Sequence, residues 1–292
     1  MAATTSISWA DKSWNPLRGC TIKSVGCQHC YAMGQAGRFS GPGQPYKGLV
    51  RKTNQGFKWT GEIRLIEKDL DVPLRWRKPK RIFVNSMSDL FHENVSDAWI
   101  DKIFAIMALA SRHTFQVLTK RAERMQVYTS DSVTPFRIAE AISVLTDTKI
   151  TSIAWPLSQV WAGVSVENQA TLNRLNHLCE TPAAVRFASF EPLLENLGDV
   201  TPWLQPVLNA AGLDWAIIGG ESGPGARPCD LEWIRSLVRQ CREVGTATWV
   251  KQLGTRPYIV SEFDKTYPVR LAARKGDDPS EWPSDLRIQE FP

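Results

Sequence analysis

The chain has 292 residues, 43% hydrophobic and 22% charged, enough for one α/β barrel, a class that runs to about 250 residues. It shows no low-complexity tract, heptad run or repeat period, and no run of about 18 apolar residues that would span a bilayer, which excludes fibrous, coiled-coil and helical membrane classes. The net charge of +5 hides an asymmetry: residues 12–81 carry 15 basic and 4 acidic side chains, net +11, against 20 basic and 26 acidic elsewhere. A basic segment of this kind suits an anionic substrate, with DNA or RNA the commonest.

In chain order, MAATTSISW lacks the basic start and apolar run of a signal peptide, so a soluble, cytoplasmic protein is expected, with no membrane partner. In a reducing compartment its six cysteines are better treated as ligands and core fillers than as disulfides. A first strand is expected within residues 7–9 or 14–18. The loop GCTIKSVGCQHCYA follows, with Cys20, Cys27 and Cys30 inside eleven residues and no apolar periodicity. Such a loop suits zinc or an iron–sulfur centre. Structural zinc wants four protein ligands, so zinc needs a fourth from Cys229, Cys241 or a histidine. His29 is a poor choice, because Cys30 beside it already points at the same metal. A cubane cluster held by three cysteines instead leaves one iron open to a substrate or cofactor.

Residues 34–61 are glycine-rich and place Tyr46, Phe57 and Trp59 among Arg38, Lys47, Arg51, Lys52 and Lys58. Aromatics interleaved with cations serve base stacking and phosphate contact. We read this stretch as a basic insertion in a single domain spanning 1–292, placed to cover the mouth of the barrel.

From residue 81 onward short apolar runs alternate with helical periodicity. The runs are RIFVN (81–85), TFQVLT (114–119), VWAGVS (160–165), AVRFAS (184–189), DWAIIGG (214–220) and ATWVK (247–251). They are nearly continuous in hydrophobicity, as strands buried on both faces are. Between them, Ser96 is placed to cap a helix with Ile100, Ile103, Phe104 and Met107 on one face. Asp230 is placed to cap another, lined by Leu231, Ile234, Leu237, Val238 and Cys241 and closed by Gly245. Cys179 and Cys241 are expected as core fillers, and Cys229 as a passive loop residue. The pattern predicts an α/β fold, a partial (β/α) barrel of about six to seven parallel strands.

In such a barrel the strand ends converge on one mouth. They are Asn85, Ser86, Ser88 and Asp89; Thr119, Lys120 and Arg121; Ser165, Glu167 and Asn168; Ser189 and Glu191; Glu221 and Ser222; Lys251 and Gln252. Glu221, Lys251 and Lys120 are the catalytic candidates. A hydrolase using Asp89, His92, Glu167 and Glu221 is a third reading, beside a metal-cluster enzyme and a non-catalytic zinc or iron–sulfur nucleic-acid-binding protein.

The pieces WNPLRGCTIKSVGCQHCYA, FVNSMSDLFHE, VLTKR, WAGVSVEN, RFASFEPLL, IIGGESGPGARP, WVKQLG and LRIQEFP together resemble a phage and bacterial family of unknown function with a three-cysteine motif. The loop itself resembles that of the radical S-adenosylmethionine (radical SAM) superfamily, although the spacing here is CxxxxxxCxxC where CxxxCxxC is commonest. The resemblance implies a [4Fe-4S] cluster on Cys20, Cys27 and Cys30, with S-adenosylmethionine on the fourth iron. It implies cofactor contacts from Asn85, Ser86, Ser88 and Asp89, and from Ser165, Glu167 and Asn168. The superfamily's GGE motif is absent after the second strand; the only one, 219–221, follows a later strand and is assigned to the substrate. The implied activity is cleavage of S-adenosylmethionine to a 5′-deoxyadenosyl radical that takes a hydrogen from a nucleotide or nucleic acid, in phage-related modification or repair. A reductant protein and a partner protein encoded nearby are implied with it.

Overall fold

A computed structural model describes residues 5–206 and 211–292; the first four residues, part of the stretch from which no leader is expected, lie outside it. Seven strands form the main sheet: Lys12–Trp14 (β1), Arg81–Val84 (β2), Thr114–Thr119 (β3), Val160–Ser165 (β4), Val185–Phe190 (β5), Trp215–Gly219 (β6) and Ala247–Gln252 (β7). Their order in the sheet is their order in the chain. Pairing is parallel from β1 through β3 and again from β5 through β7.

Each crossover carries a helix: Tyr31–Arg38 (α1), Asp97–Leu109 (α2), Ala122–Ser130 (α3) with Thr134–Thr146 (α4), Asn173–Glu180 (α5), Thr201–Leu204 (α6) and Leu231–Val244 (α7). Parallel strands in sequential order with helical crossovers are the topology of a partial (β/α) barrel. Among the described residues no helix is long and apolar enough to cross a membrane.

Contacts divide the chain into two compact units. The first holds Met1–Lys23, Cys30–Ala162 and Thr181–Ala184; the second holds Ser24–His29, Gly163–Glu180 and Val185–Pro292. In the first unit β2 and β3 are buried along most of their length, and α2 packs on α4. In the second, all five residues of β6 are buried, and α7 covers β6 and β7 with Leu231, Ile234, Leu237, Val238 and Cys241. Each such aliphatic side chain, fully buried, contributes about 1.5–3 kcal/mol.

The first strand differs from both expected positions. Pro16 cannot donate to a ladder, so the strand stops at Trp14. Leu17–Arg18 turns away to pair antiparallel with Arg64–Leu65, and Trp9 leaves the sheet to pack edge-on against Phe83. Ser96 precedes α2 in extended conformation but its side chain makes no cap bond, whereas Asp97 pairs with Arg124. Asp230 does cap α7, accepting from the Glu232 amide at 2.9 Å, and Gly245 closes the helix in the left-handed region.

The glycine-rich stretch is a built module. A hairpin of Val50–Thr53 and Gly56–Trp59 packs on α1, burying Ala32, Met33 and Ala36 against Tyr46, Leu49, Val50 and Trp59. Cys20, Cys30 and Phe57 pack against this cluster, which also includes Met87 from the loop after β2. Gly37 is where the two elements meet: a Cβ there would lie 2.1 Å from the Phe57 ring.

Candidate active site

In the first unit the carboxylate of Asp89, after β2, is buried and fully engaged. It accepts from Thr119 Oγ1 at 2.6 Å, the Lys120 amide at 3.1 Å, Arg121 Nη1 at 3.0 Å and the Phe91 amide at 3.0 Å. Asp89 thus sets the turn after β3 and aims Arg121 at the cysteine loop. Arg121 donates Nη2 to Thr21 Oγ1 at 2.6 Å and Nε to Glu93 at 2.8 Å. Burial opposes its charge, yet Asp89, then the thiolate form of Cys20, and Glu93 together raise its pKa.

Thr21 also meets His92 Nε2 at 3.0 Å, while His92 Nδ1 accepts from the Asn94 amide at 3.0 Å. The second bond assigns the ring proton to Nε2, so Thr21 Oγ1 accepts from both His92 and Arg121. Elsewhere on the loop, Gly19 bridges Ser88, Ser88 donates to the Leu17 carbonyl at 3.1 Å, and Tyr31 donates to the Ser86 carbonyl at 2.7 Å. Ser86 Oγ and the Met87 amide both donate to Asn15 Oδ1, at 3.2 and 3.0 Å.

Asn85 stands apart. It is 3% exposed, holds a left-handed φ of 60°, and its Nδ2 has no partner. Its Oδ1 accepts from the Leu17 amide at 3.4 Å, so the donor is the one end of this buried amide left over, an exception to the rule that buried polar groups are paired.

In the second unit two buried carboxylates grip residues 24–29. Glu167, 0% exposed, accepts from Ser24 Oγ at 2.9 Å and from Arg174 Nη1 at 3.0 Å, and Arg174 also bonds the Ser165 carbonyl at 2.6 Å. Gly26 lies against the same carboxylate, where a Cβ would come within 2.5 Å of Glu167 Cγ. The Glu167 and Asn168 amides donate to Thr171 Oγ1 at 3.1 and 3.3 Å, which shapes the turn after β4.

Glu221, in the GGE after β6, accepts from His29 Nδ1 at 3.1 Å and from the Arg227 amide, Nε and Nη2 at 2.8, 2.9 and 2.5 Å. Arg227 then reaches the Val25 carbonyl at 3.1 Å. Burial works to raise the Glu221 pKa, but the Arg227 and His29 bonds outweigh it and hold it below the ordinary carboxylate value. The paired glycines before Glu221 admit the neighbouring loop: a Cβ on Gly220 would meet the Leu253 carbonyl at 2.4 Å.

Of the catalytic candidates, Glu221 therefore serves the cysteine loop. Lys251 is bound to Glu191 at 2.7 and 2.9 Å, with Gln252 on the same carboxylate at 3.0 Å. The Lys120 amide belongs to the Asp89 network. Thr21, Ser24, Gly26, His29, Arg174 and Arg227 were missed as functional residues in the sequence. For all but Arg174 the signal was present, since each lies in a motif singled out there.

None of the six cysteines forms a disulfide: Cys27, Cys179, Cys229 and Cys241 are buried, Cys20 and Cys30 half-buried. Burial pushes the Cys229 thiol up to about 12 and the Cys241 and Cys179 thiols up to about 11. Burial thus works against the thiolate form at Cys229 and Cys241. Among the described residues no group of three or more His, Cys, Asp or Glu side chains is gathered to hold a metal ion. Three thiols in one loop are nonetheless donors of the chemical type an iron–sulfur centre takes, and the Asn85 Nδ2 is of the type that meets an oxygen acceptor.

No curated protein matches the chain. Among solved structures, two point mutants of spore photoproduct lyase are similar, with TM-scores of 0.46 and 0.45 and identities of 9% and 10%. Spore photoproduct lyase complexed with dinucleoside spore photoproduct is similar at TM-score 0.45 and 11% identity. Each comparison covers 93% of this chain and 72% of the other. The family DUF5131, described as a protein of unknown function, matches residues 4–275, and the chain belongs to that family.

Proposed function

We propose that the protein is a radical SAM-type enzyme whose Cys20, Cys27 and Cys30 hold a [4Fe-4S] cluster and whose substrate is a nucleic acid. The observation that carries this reading is the fastening of the cysteine loop. In the first unit Gly19, Thr21 and Tyr31 are bonded to the ends of β2 and β3; in the second, Ser24, Gly26 and His29 are fitted to carboxylates after β4 and β6. Residues beside Cys20 and Cys30 are anchored by hydrogen bonds, and Gly26, beside Cys27, is packed against the Glu167 side chain. That preorganisation is costly, and it suits a site that must keep its geometry through turnover.

When bound, the cluster with S-adenosylmethionine would supply reductive cleavage of the sulfonium bond. The chain's own residues do the rest. Arg121 holds charge beside Cys20 and sets Thr21. Asn85 offers a buried N–H to an acceptor on the cofactor. Glu167 and Glu221 position the turn that carries Cys27, and the Asp89 network keeps Arg121 in place.

The test is anaerobic reconstitution of the full chain with iron and sulfide. The expected result is a brown protein that forms 5′-deoxyadenosine from S-adenosylmethionine on reduction, with both properties lost in Cys20→Ala, Cys27→Ala and Cys30→Ala. A colourless protein that takes zinc and leaves S-adenosylmethionine intact ends the reading.

A further inference from the structure

The exposed side of α1 has the features of a docking surface. Its outward residues are Tyr31, Gly34, Gln35 and Arg38, one face over two turns, with no acid among them. The Tyr31 ring is 54% exposed but its hydroxyl is pinned to the Ser86 carbonyl, so an apolar ring face is held in place toward solvent. Phe39, at the end of the helix, is 51% exposed.

Gly34 supplies an independent observation. Glycine inside a helix costs about 1 kcal/mol relative to alanine. Gly37 has a packing reason, the Phe57 ring; Gly34 has none, since a Cβ there would meet nothing within 4 Å and its φ is not left-handed. A bare helix surface between Tyr31 and Arg38 lets a flat partner approach closely.

The charges agree. Between residues 12 and 61 there is no Asp or Glu, and Arg38, Lys47, Arg51 and Lys52 are paired with no carboxylate among the described residues. Lys52 stands opposite Phe57, whose ring meets Gly37 next to Arg38 in the chain. On the other hairpin face Arg51 stands opposite Lys58, a like-charge pairing that destabilises a two-stranded ribbon.

We propose that this module docks single-stranded nucleic acid: bases stack on Tyr31 and across Gly34 while Arg38 and Lys52 take phosphates. A duplex offers phosphates but no unstacked base for Tyr31. The choice of nucleic acid over another polyanion rests on the function proposed above.

The experiment is fluorescence anisotropy of the full chain with labelled oligothymidine, oligouridine and a DNA duplex, titrated at several salt concentrations. A Cβ at Gly34 meets nothing within 4 Å, and Gly34→Leu is expected to weaken single-strand binding about tenfold, the worth of one stacked base, without lowering the melting temperature. The double variant Arg38→Gln, Lys52→Gln is expected to make the slope of log affinity against log salt shallower by about 1.4, at about 0.7 per lost phosphate contact. The two single strands distinguish DNA from RNA as the source. Unchanged affinity in Gly34→Leu, an unchanged slope in the double variant, or tighter binding of the duplex overturns the proposal. Binding is read without cluster or cofactor, so its failure leaves the enzymatic reading standing, and failed reconstitution leaves the docking surface standing.

Discussion

Glu167 and Glu221 show how a carboxylate after a parallel strand can act through a loop. Both are buried, both neutralise an arginine, and both hold residues 24–29. Removing Glu167 strands Arg174, itself only 7% exposed, so Glu167→Ala is expected to cost about 3–5 kcal/mol in urea unfolding, the usual penalty for breaking a buried ion pair. Gly26→Ala is a gentler probe, because its methyl presses on the Glu167 side chain and must displace the turn before Cys27. Its expected effect is faster alkylation of Cys27 and lower iron uptake; rates equal to wild type would show that Glu167 does not set the turn. Cys229→Ser and Cys241→Ser are expected to leave iron uptake unchanged, since both thiols are buried and hard to ionise. Loss of metal in either would restore the four-ligand zinc reading.

Among the elements, α1 and its hairpin give the sharpest contrast. Gly34 and Gly37 lie in the same helix three residues apart, yet one faces open space and the other the Phe57 ring. Gly34→Ala is expected to stabilise the chain by up to about 1 kcal/mol through helix propensity. Gly37→Ala is expected to destabilise it by about 1–3 kcal/mol through overpacking. Equilibrium unfolding of the two variants checks the pair, and equal effects would contradict the packing described. The sequence suggested a basic, glycine-rich insertion; side-chain packing makes it a helix and hairpin with a small core of its own. The strands from residue 81 onward were legible because burial on both faces leaves an unbroken apolar run. The first strand was not, because three residues are too few for a pattern and Pro16 cuts the run short.

For the whole molecule the titrating groups predict acid sensitivity. Burial, and then Arg121, lower the His92 pKa, and burial lowers that of His113 despite its bond to the Pro73 carbonyl. A histidine whose folded pKa is depressed contributes stability that is complete above its unfolded value of about 6.5 and is lost as pH falls toward the folded value. Glu221 and Glu93 extend the loss. Burial opposes the shift in each, but hydrogen bonds and arginine prevail, lowering Glu221 and bringing Glu93 to about 2. Their contribution is complete above the unfolded carboxylate value and disappears at lower pH still. Asp101 works in the opposite sense, since burial raises its pKa despite bonds from Tyr128 and Arg137. The melting temperature is expected to fall in two stages, first below about pH 6.5 and again below about pH 4.5. His92→Gln is expected to reduce the first stage; an unaltered profile would show that His92 contributes none of it.

The sequence by itself determined the α/β class, the strand runs and the three-cysteine motif, because burial on both faces and the spacing of reactive side chains are written locally. It also located Asp89, Glu167 and Glu221 at strand ends. Only the tertiary structure decided what those carboxylates do. Glu167 and Ser24 are 143 residues apart and Glu221 and His29 are 192 apart, so their bonds follow from packing of distant segments and leave no local pattern. The same holds for Gly34, whose open surroundings are a property of the folded helix and its neighbours.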